Sequence, residues 1–243
     1  MAGRSASEAS ARNLRRAIVD RIFNHNSDTR SLFLRITSGG PLKFTPGQFV
    51  SLSIPLQSET LTRAYSIASD PESDSMFEMC FNRVANGRGT PWLFDRAAGD
   101  SIDFTGPYGL FVMEGAPSVE TVMIAEETAI APIRPMIRRA SRSQGHAPIF
   151  LLYGASTPDR ILYRSELEET ATRDCGFRFE TTIEGRESLY DRLAEIVRHR
   201  WIDADANRTR QFYICGIGKS VSRLRDMLRS AGYERRSVRY EQW

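Results

Sequence analysis

The chain has 243 residues, 41% of them hydrophobic, enough to bury the core of one large domain or two of ordinary size. Its 33 basic and 30 acidic residues leave a formal charge of only +3, so any basic docking face is local and nucleic-acid binding is not implied. Three cysteines with no C-x-x-C pair are too few for a cysteine-ligated iron–sulfur cluster, and three isolated histidines lack metal-ligand spacing, so no metal site is expected.

Residues 1–14 read as a flexible polar tail. They are rich in Ala, Ser and Arg, contain Glu8, and lack the apolar stretch of a secretory signal. No apolar run approaches the length that spans a bilayer, and scattered cysteines suit the cytoplasm better than an oxidising compartment. From Arg16 to about Phe104 the apolar pattern is short and alternating, as in Ser31 to Ile36 and Gln48 to Ile54, with turn signals at Gly39-Gly40, Pro46-Gly47 and Asp70-Pro71. This pattern predicts an antiparallel sheet, closed as a small Greek-key barrel.

Within that half, Arg63-Ala64-Tyr65-Ser66 sits at a predicted strand end. It offers a cation, a flat aromatic face and a small hydroxyl, which are the groups a flavin dinucleotide needs for its pyrophosphate, its ring and its reactive nitrogen. Gly87-Arg88-Gly89-Thr90-Pro91-Trp92-Leu93 follows as a glycine turn feeding a helix start. Thr90 is expected at the N-cap and Pro91 at the first helical position, with exposed amides suited to a phosphate. Gly106 to Phe111 then closes the barrel, with Tyr108 and Phe111 read as its supports.

After Gly115 the rhythm changes. Compact apolar runs at Thr121 to Ala125, Ile149 to Tyr153, Phe177 to Thr181 and Phe212 to Cys215 are each followed by a helical pattern. Those patterns run from Ile130 to Ser143, Ser165 to Thr172, Tyr190 to Arg200 and Val221 to Ala231. Alternating strands and helices predict a parallel sheet covered on both faces, with ligands at the carboxyl ends of its strands. The expected boundary lies near Glu114 to Ser118, which divides the chain into a flavin-binding barrel over 15–115 and an NAD(P)-binding-like α/β domain over 116–243. Gly218-Lys219-Ser220 is not a P-loop, because the leading glycine of that motif is replaced by Tyr213.

Taken together and in order, Arg63 to Ser66, Gly87 to Leu93, Gly106 to Phe111 and the terminal Glu241-Gln242-Trp243 resemble the ferredoxin–NADP reductase family of FAD enzymes, in its plant-type branch, over roughly Ile18 to Trp243. The resemblance implies that Arg63 contacts the FAD pyrophosphate, that Tyr65 packs on the isoalloxazine with Ala64 beside it, and that Ser66 lies near flavin N5. Gly87, Gly89 and Thr90 would meet the phosphates from the other side. Tyr213-Ile214-Cys215-Gly216 resembles the motif that places a thiol beside the nicotinamide C4. Trp243 would stack over the flavin and Glu241 would help proton or electron exchange, while Arg186 and Tyr190 would bracket an adenosine 2'-phosphate.

One segment departs from the family. Its glycine-rich turn, G-G-G-T-G-I-A-P, corresponds here to Ala125-Glu126-Glu127-Thr128-Ala129-Ile130-Ala131-Pro132, which keeps the frame and Thr128 but loses the glycines. Two carboxylates near a pyrophosphate would each cost on the order of 1 kcal/mol or more. Facing solvent, they cap the helix favourably and merely weaken nucleotide binding. Lining the pocket, they turn the second domain toward another electron source. A milder departure is Ser220, where the family usually has methionine.

The activity implied is FAD-dependent electron transfer between NADP(H) or NAD(H) and a separate one-electron carrier such as ferredoxin or flavodoxin. Acidic carriers would be steered by Lys43, Arg138, Arg139 and Arg142. The alternative is an FAD-binding electron-transfer subunit with a degenerate nucleotide site, working inside a larger complex.

Overall fold

The computed structural model describes residues 14–71, 73 and 75–242. Apart from Leu14, the expected tail lies outside the described residues, and so does Trp243. The chain divides into two compact units, the first ending at Val112 and the second beginning at Met113.

The first unit is an antiparallel sheet of β1 (Arg15–Asn24), β2 (Thr29–Ser38), β3 (Phe49–Pro55), β4 (Thr60–Ser66), β5 (Met76–Asn82) and β6 (Ser101–Tyr108), with the short helix α1 (Gly89–Phe94) between the last two. The strand order is β4-β3-β6-β1-β2-β5. Beyond the ends of that order, Ile67 bridges Met79, and the Ala68 N–H donates to the Glu78 carbonyl at 2.8 Å, which draws the outer strands together into a barrel. In β3 the side chains alternate strictly, with Val50, Leu52 and Ile54 buried between less buried neighbours, as a pleated strand with one face on a core requires. That core is completed by Leu32, Leu34, Phe77 and Phe104, the last two with ring centroids 5.1 Å apart.

The second unit is a parallel sheet of β7 (Thr121–Glu126), β8 (Ile149–Ala155), β9 (Phe177–Ile183), β10 (Gln211–Gly216) and β11 (Val238–Gln242), ordered β11-β10-β7-β8-β9. The helices are α2 (Ile130–Ser141), α3 (Arg164–Arg173), α4 (Leu189–Arg198) and α5 (Lys219–Ser230), and α4 continues through a π-helical turn at His199–Asp203. Every residue of β7 is buried, which is why its sequence reads as an unbroken apolar run ending in a glutamate. The strand β11 carries too little apolar periodicity to stand out in the sequence. Its place comes from the ladder it forms along β10, which pairs Cys215 with Glu241.

Because β8 lies on one side of β7 and β10 on the other, the strand order reverses at the β7–β10 boundary. In open parallel sheets the crevice beyond the carboxyl ends at such a reversal is where ligands bind.

The start of α2 is pinned by a buried cation. Arg134 lies with its guanidinium 4.0 Å from the centre of the Tyr163 ring and forks onto the Glu166 carboxylate, which also receives Arg138 at 2.6 Å. Arg138 thus shares this carboxylate with Arg134. Burial alone would raise the Glu166 pKa, but Arg134 and Arg138 outweigh it and hold the carboxyl below its ordinary range. Glu166→Gln, which strands the Arg134 charge, is expected to destabilise this unit by on the order of 2 kcal/mol at neutral pH, read by urea or thermal unfolding. A depressed folded-state pKa contributes stability above the ordinary carboxylate pKa and loses it as pH falls through the depressed value, so the gap between wild type and variant should close in acid.

Candidate functional site

In the first unit, β4 breaks the alternation that β3 keeps. Thr62, Arg63 and Ala64 are all exposed, Tyr65 is half-buried and Ser66 is buried. Three consecutive exposed residues on a strand of a packed barrel leave a stretch of its surface open to a ligand. The exposed Arg63 donates at 2.8 Å to the neighbouring Thr62 carbonyl. Tyr65 packs edge-on against Phe81 at 5.6 Å, and burial pushes its phenol up to about 12 against the opposing pull of Arg63, so it stays a neutral donor at physiological pH.

Gly89 sits against both side chains. A Cβ at this position would lie in ordinary contact with Arg63 Cγ at 3.4 Å and Tyr65 Oη at 3.5 Å, and would press lightly on Ile54 Cδ1 at 3.1 Å. Gly87 is required by the preceding turn, where a Cβ would approach Val84 Cβ to 2.9 Å. Thr90 corrects the expectation of an N-cap. The helix starts at Gly89, and the Thr90 hydroxyl instead accepts from the Val84 N–H at 2.9 Å, because tying down the glycine turn uses the oxygen that a cap would need. Phe111 is buried as expected of a barrel support, whereas Tyr108 is 42% exposed and lies tilted on Phe49.

In the second unit, β7 ends at Glu126 and passes through a tight turn, Glu127–Ala129, into α2. Both glutamates are buried, at 7% and 4% exposure, so neither faces solvent. The Glu126 carboxylate fills the crevice at the β7–β10 reversal. Its Oε2 accepts from the Ile217 N–H at 3.0 Å and the Ser220 hydroxyl at 3.1 Å, and a Cβ on Gly216 would come within 2.7 Å of it. Burial raises the Glu126 pKa, the Ile217 and Ser220 donors offset part of the rise, and the neighbouring Glu127 charge adds to it.

Glu127 reaches the other way, toward the ends of β8 and β9. Its carboxylate accepts from the Ser156 N–H at 3.2 Å, from the Ser156 hydroxyl, from Arg160 at 3.3 Å and from Arg186 at 3.2 Å. Its carbonyl receives the hydroxyl of the fully buried Tyr153 at 2.8 Å. These bonds hold its backbone at φ 48°, in the left-handed region where glycine is at ease and a glutamate is not. Arg186 and Tyr190 stand together on the wall of the remaining pocket, about 140 Å³. That is below the ~300–1,000 Å³ usual for a small-molecule ligand.

Cys215 is buried near the end of β10, and Glu241, directly beside it on β11, projects from the same face of the sheet. The structure thus sets two separately expected residues side by side on adjacent strands. Thr128 is half-buried in the turn after β7.

Two family models cover most of the chain, the oxidoreductase FAD-binding domain over residues 17–113 and the oxidoreductase NAD-binding domain over 123–222. Ferredoxin–NADP reductase B of Sorangium cellulosum is 30% identical over 88% of this chain and 91% of its own length. The chain belongs to the ferredoxin–NADP reductase family. It is an FAD-dependent oxidoreductase with a nicotinamide-nucleotide domain. The glycine betaine monooxygenase reductase subunit of Pseudomonas aeruginosa is 27% identical over 79% of the chain, which spans 54% of that relative. A solved ferredoxin NADP+ reductase from Neisseria gonorrhoeae with bound FAD and NADP has the same fold, with a TM-score of 0.80 at 18% identity over 95% of this chain and 98% of that one.

Ser156, Arg160 and Ser220 supply donors to the two carboxylates, a role that the amino-acid sequence does not announce. Glu126 and Ser220 are both departures from the family pattern, and the structure joins them by a hydrogen bond, so the two substitutions are one local change.

Proposed function

We propose that this chain carries electrons from a nicotinamide nucleotide through FAD to a separate one-electron carrier of the ferredoxin or flavodoxin kind, in the cytoplasm. The observation that carries the reading is the convergence of Arg63, Tyr65 and Gly89 on one open stretch of a barrel, in a chain that also contains the nucleotide domain. These residues fit a flavin dinucleotide, with an exposed cation for the pyrophosphate, a neutral half-buried phenol for the ring and a helix start without a side chain beside both.

The division of labour assigns residues 15–115 to the flavin and 116–243 to the nucleotide. Arg63, with Gly87, Gly89 and Thr90 around it, would hold the pyrophosphate. Ala64 and Tyr65 would line the ring, and the Ser66 hydroxyl would stand near its reactive nitrogen. Bound flavin supplies the conversion between two-electron and one-electron transfer. On the nucleotide side, Cys215 and Glu241 share one face at the strand ends and would border the nicotinamide, while Thr128, Arg186 and Tyr190 would serve the rest of the nucleotide. Trp243 is assigned to cover the flavin. The relatives named for ferredoxin and for a monooxygenase support delivery to a separate protein.

The buried glutamates favour a second reading, in which the nucleotide site is degenerate and the chain is an electron-transfer subunit of a larger complex. Anaerobic titration of the flavoprotein separates the two. Bleaching by NADPH or NADH is expected for a reductase, and no bleaching by either at roughly millimolar nucleotide would leave the subunit reading. Arg63→Ala should weaken FAD binding by about tenfold to a hundredfold, the worth of a charge-assisted phosphate contact. Unchanged flavin content after gel filtration would contradict the pyrophosphate assignment.

A further inference from the structure

The carboxyl ends of β8 and β9 form an anion site, and its occupant is part of the chain. One backbone N–H and one hydroxyl from Ser156, together with the guanidinium groups of Arg160 and Arg186, converge on the carboxylate of Glu127. Converging amide, hydroxyl and guanidinium donors are the equipment with which proteins hold phosphate. In dinucleotide-binding sheets this region, beyond the strand next to the first, meets the adenosine ribose, where an arginine accommodates a 2'-phosphate and a carboxylate accepts from a 2'-hydroxyl. Here both kinds of group are present, and they are bonded to each other.

The backbone points the same way. A glutamate at φ 48° is held by its surroundings, and the holders are the anion-site donors on its side chain and Tyr153 on its carbonyl. Glu127 is 4% exposed, whereas the Arg186 side chain is 60% exposed, so Arg186 can be approached from solvent while its partner is sealed in. The pocket alongside, about 140 Å³, is lined by both Glu127 and Arg186.

We propose that Glu127 is a built-in competitor for nucleotide phosphate: its carboxylate takes the place of a ribose 2'-phosphate at Ser156, Arg160 and Arg186, and so biases the chain against NADP(H) relative to NAD(H). The inference rests on the reading that the second unit takes a nicotinamide nucleotide. An incoming 2'-phosphate has to displace Glu127 from Arg186 and leave a carboxylate of like charge nearby. A ribose hydroxyl carries no charge, so it neither competes for the guanidinium groups nor is repelled by the carboxylate. Glu127 is thus a specificity-determining residue, and its substitution by a neutral isostere should act on the phosphorylated nucleotide selectively.

The test uses FAD-loaded protein. Adenosine 2',5'-bisphosphate and adenosine 5'-monophosphate are titrated calorimetrically into wild type and Glu127→Gln, and kcat/KM is measured with NADPH and NADH. Wild type is expected to bind the bisphosphate no more than about threefold tighter than the monophosphate. In Glu127→Gln the bisphosphate should gain about tenfold or more and the monophosphate less than about threefold, with the NADPH to NADH ratio of kcat/KM rising in parallel. A wild type that already prefers the bisphosphate by about tenfold overturns the inference without any variant. Equal gains for both ligands, or none, overturn it as well, because they assign Glu127 to general obstruction or to structure alone. If both nucleotides reduce the wild-type flavin and the ratio is unmoved in the variant, only this inference fails. If neither nucleotide reduces the flavin in either protein, the reductase reading fails with it.

Discussion

The carboxylate of Glu127 is the tie on which the nucleotide half depends. It gathers the loops that follow β8 and β9 onto the turn that follows β7, using donors from Ser156, Arg160 and Arg186. A buried charge of this kind is tolerated only when its desolvation is met by several charge-assisted bonds, and Glu127 has them. Glu126 performs the matching task across the β7–β10 reversal, where the donors are the Ile217 N–H and the Ser220 hydroxyl. Burial lifts the Glu126 pKa, and these donors with the nearby Arg186 charge offset only part of the rise. The crevices in which a parallel sheet takes a nucleotide are thus lined by the chain's own anions.

The flavin half shows the opposite arrangement. There the constraint is an opening, the exposed run Thr62 to Ala64 on β4, with the backbone of Gly89 close beside Arg63 and Tyr65. Among the described residues, Arg63 donates to a neighbouring backbone carbonyl, whereas Arg160 and Arg186 are paired with the Glu127 carboxylate. The two halves therefore differ in how much must be rearranged before a ligand enters.

Much of this was legible in the amino-acid sequence, for physical reasons that also explain what was not. The barrel strands announce themselves by alternation and the parallel strands by unbroken apolar runs, because one face or both faces are buried. The helices α2 to α5 follow from periodicity, with ends displaced by a residue or more. The Arg63 to Ser66 segment was readable because its chemistry is local to four consecutive residues. By contrast, Thr90 carries the right residue type for a cap but spends its hydroxyl on Val84, a choice made by a turn that propensity does not encode. The strand β11 is polar and becomes a strand only through its pairing with β10. Most of all, the carboxylates at 126 and 127 could be recognised as departures, but their direction depended on partners far along the chain. Ser156, Arg160, Arg186, Ile217 and Ser220 decide it, and no spacing rule links them.

The central claim is that the Glu127 carboxylate and a nucleotide phosphate are alternative occupants of one site. A crystal structure of the FAD-loaded protein with adenosine 2',5'-bisphosphate tests it directly. The account predicts the 2'-phosphate on Ser156, Arg160 and Arg186, with the Glu127 side chain withdrawn from all three and its backbone free to leave the left-handed region. A bisphosphate bound elsewhere, with Glu127 still seated on those donors, would contradict it.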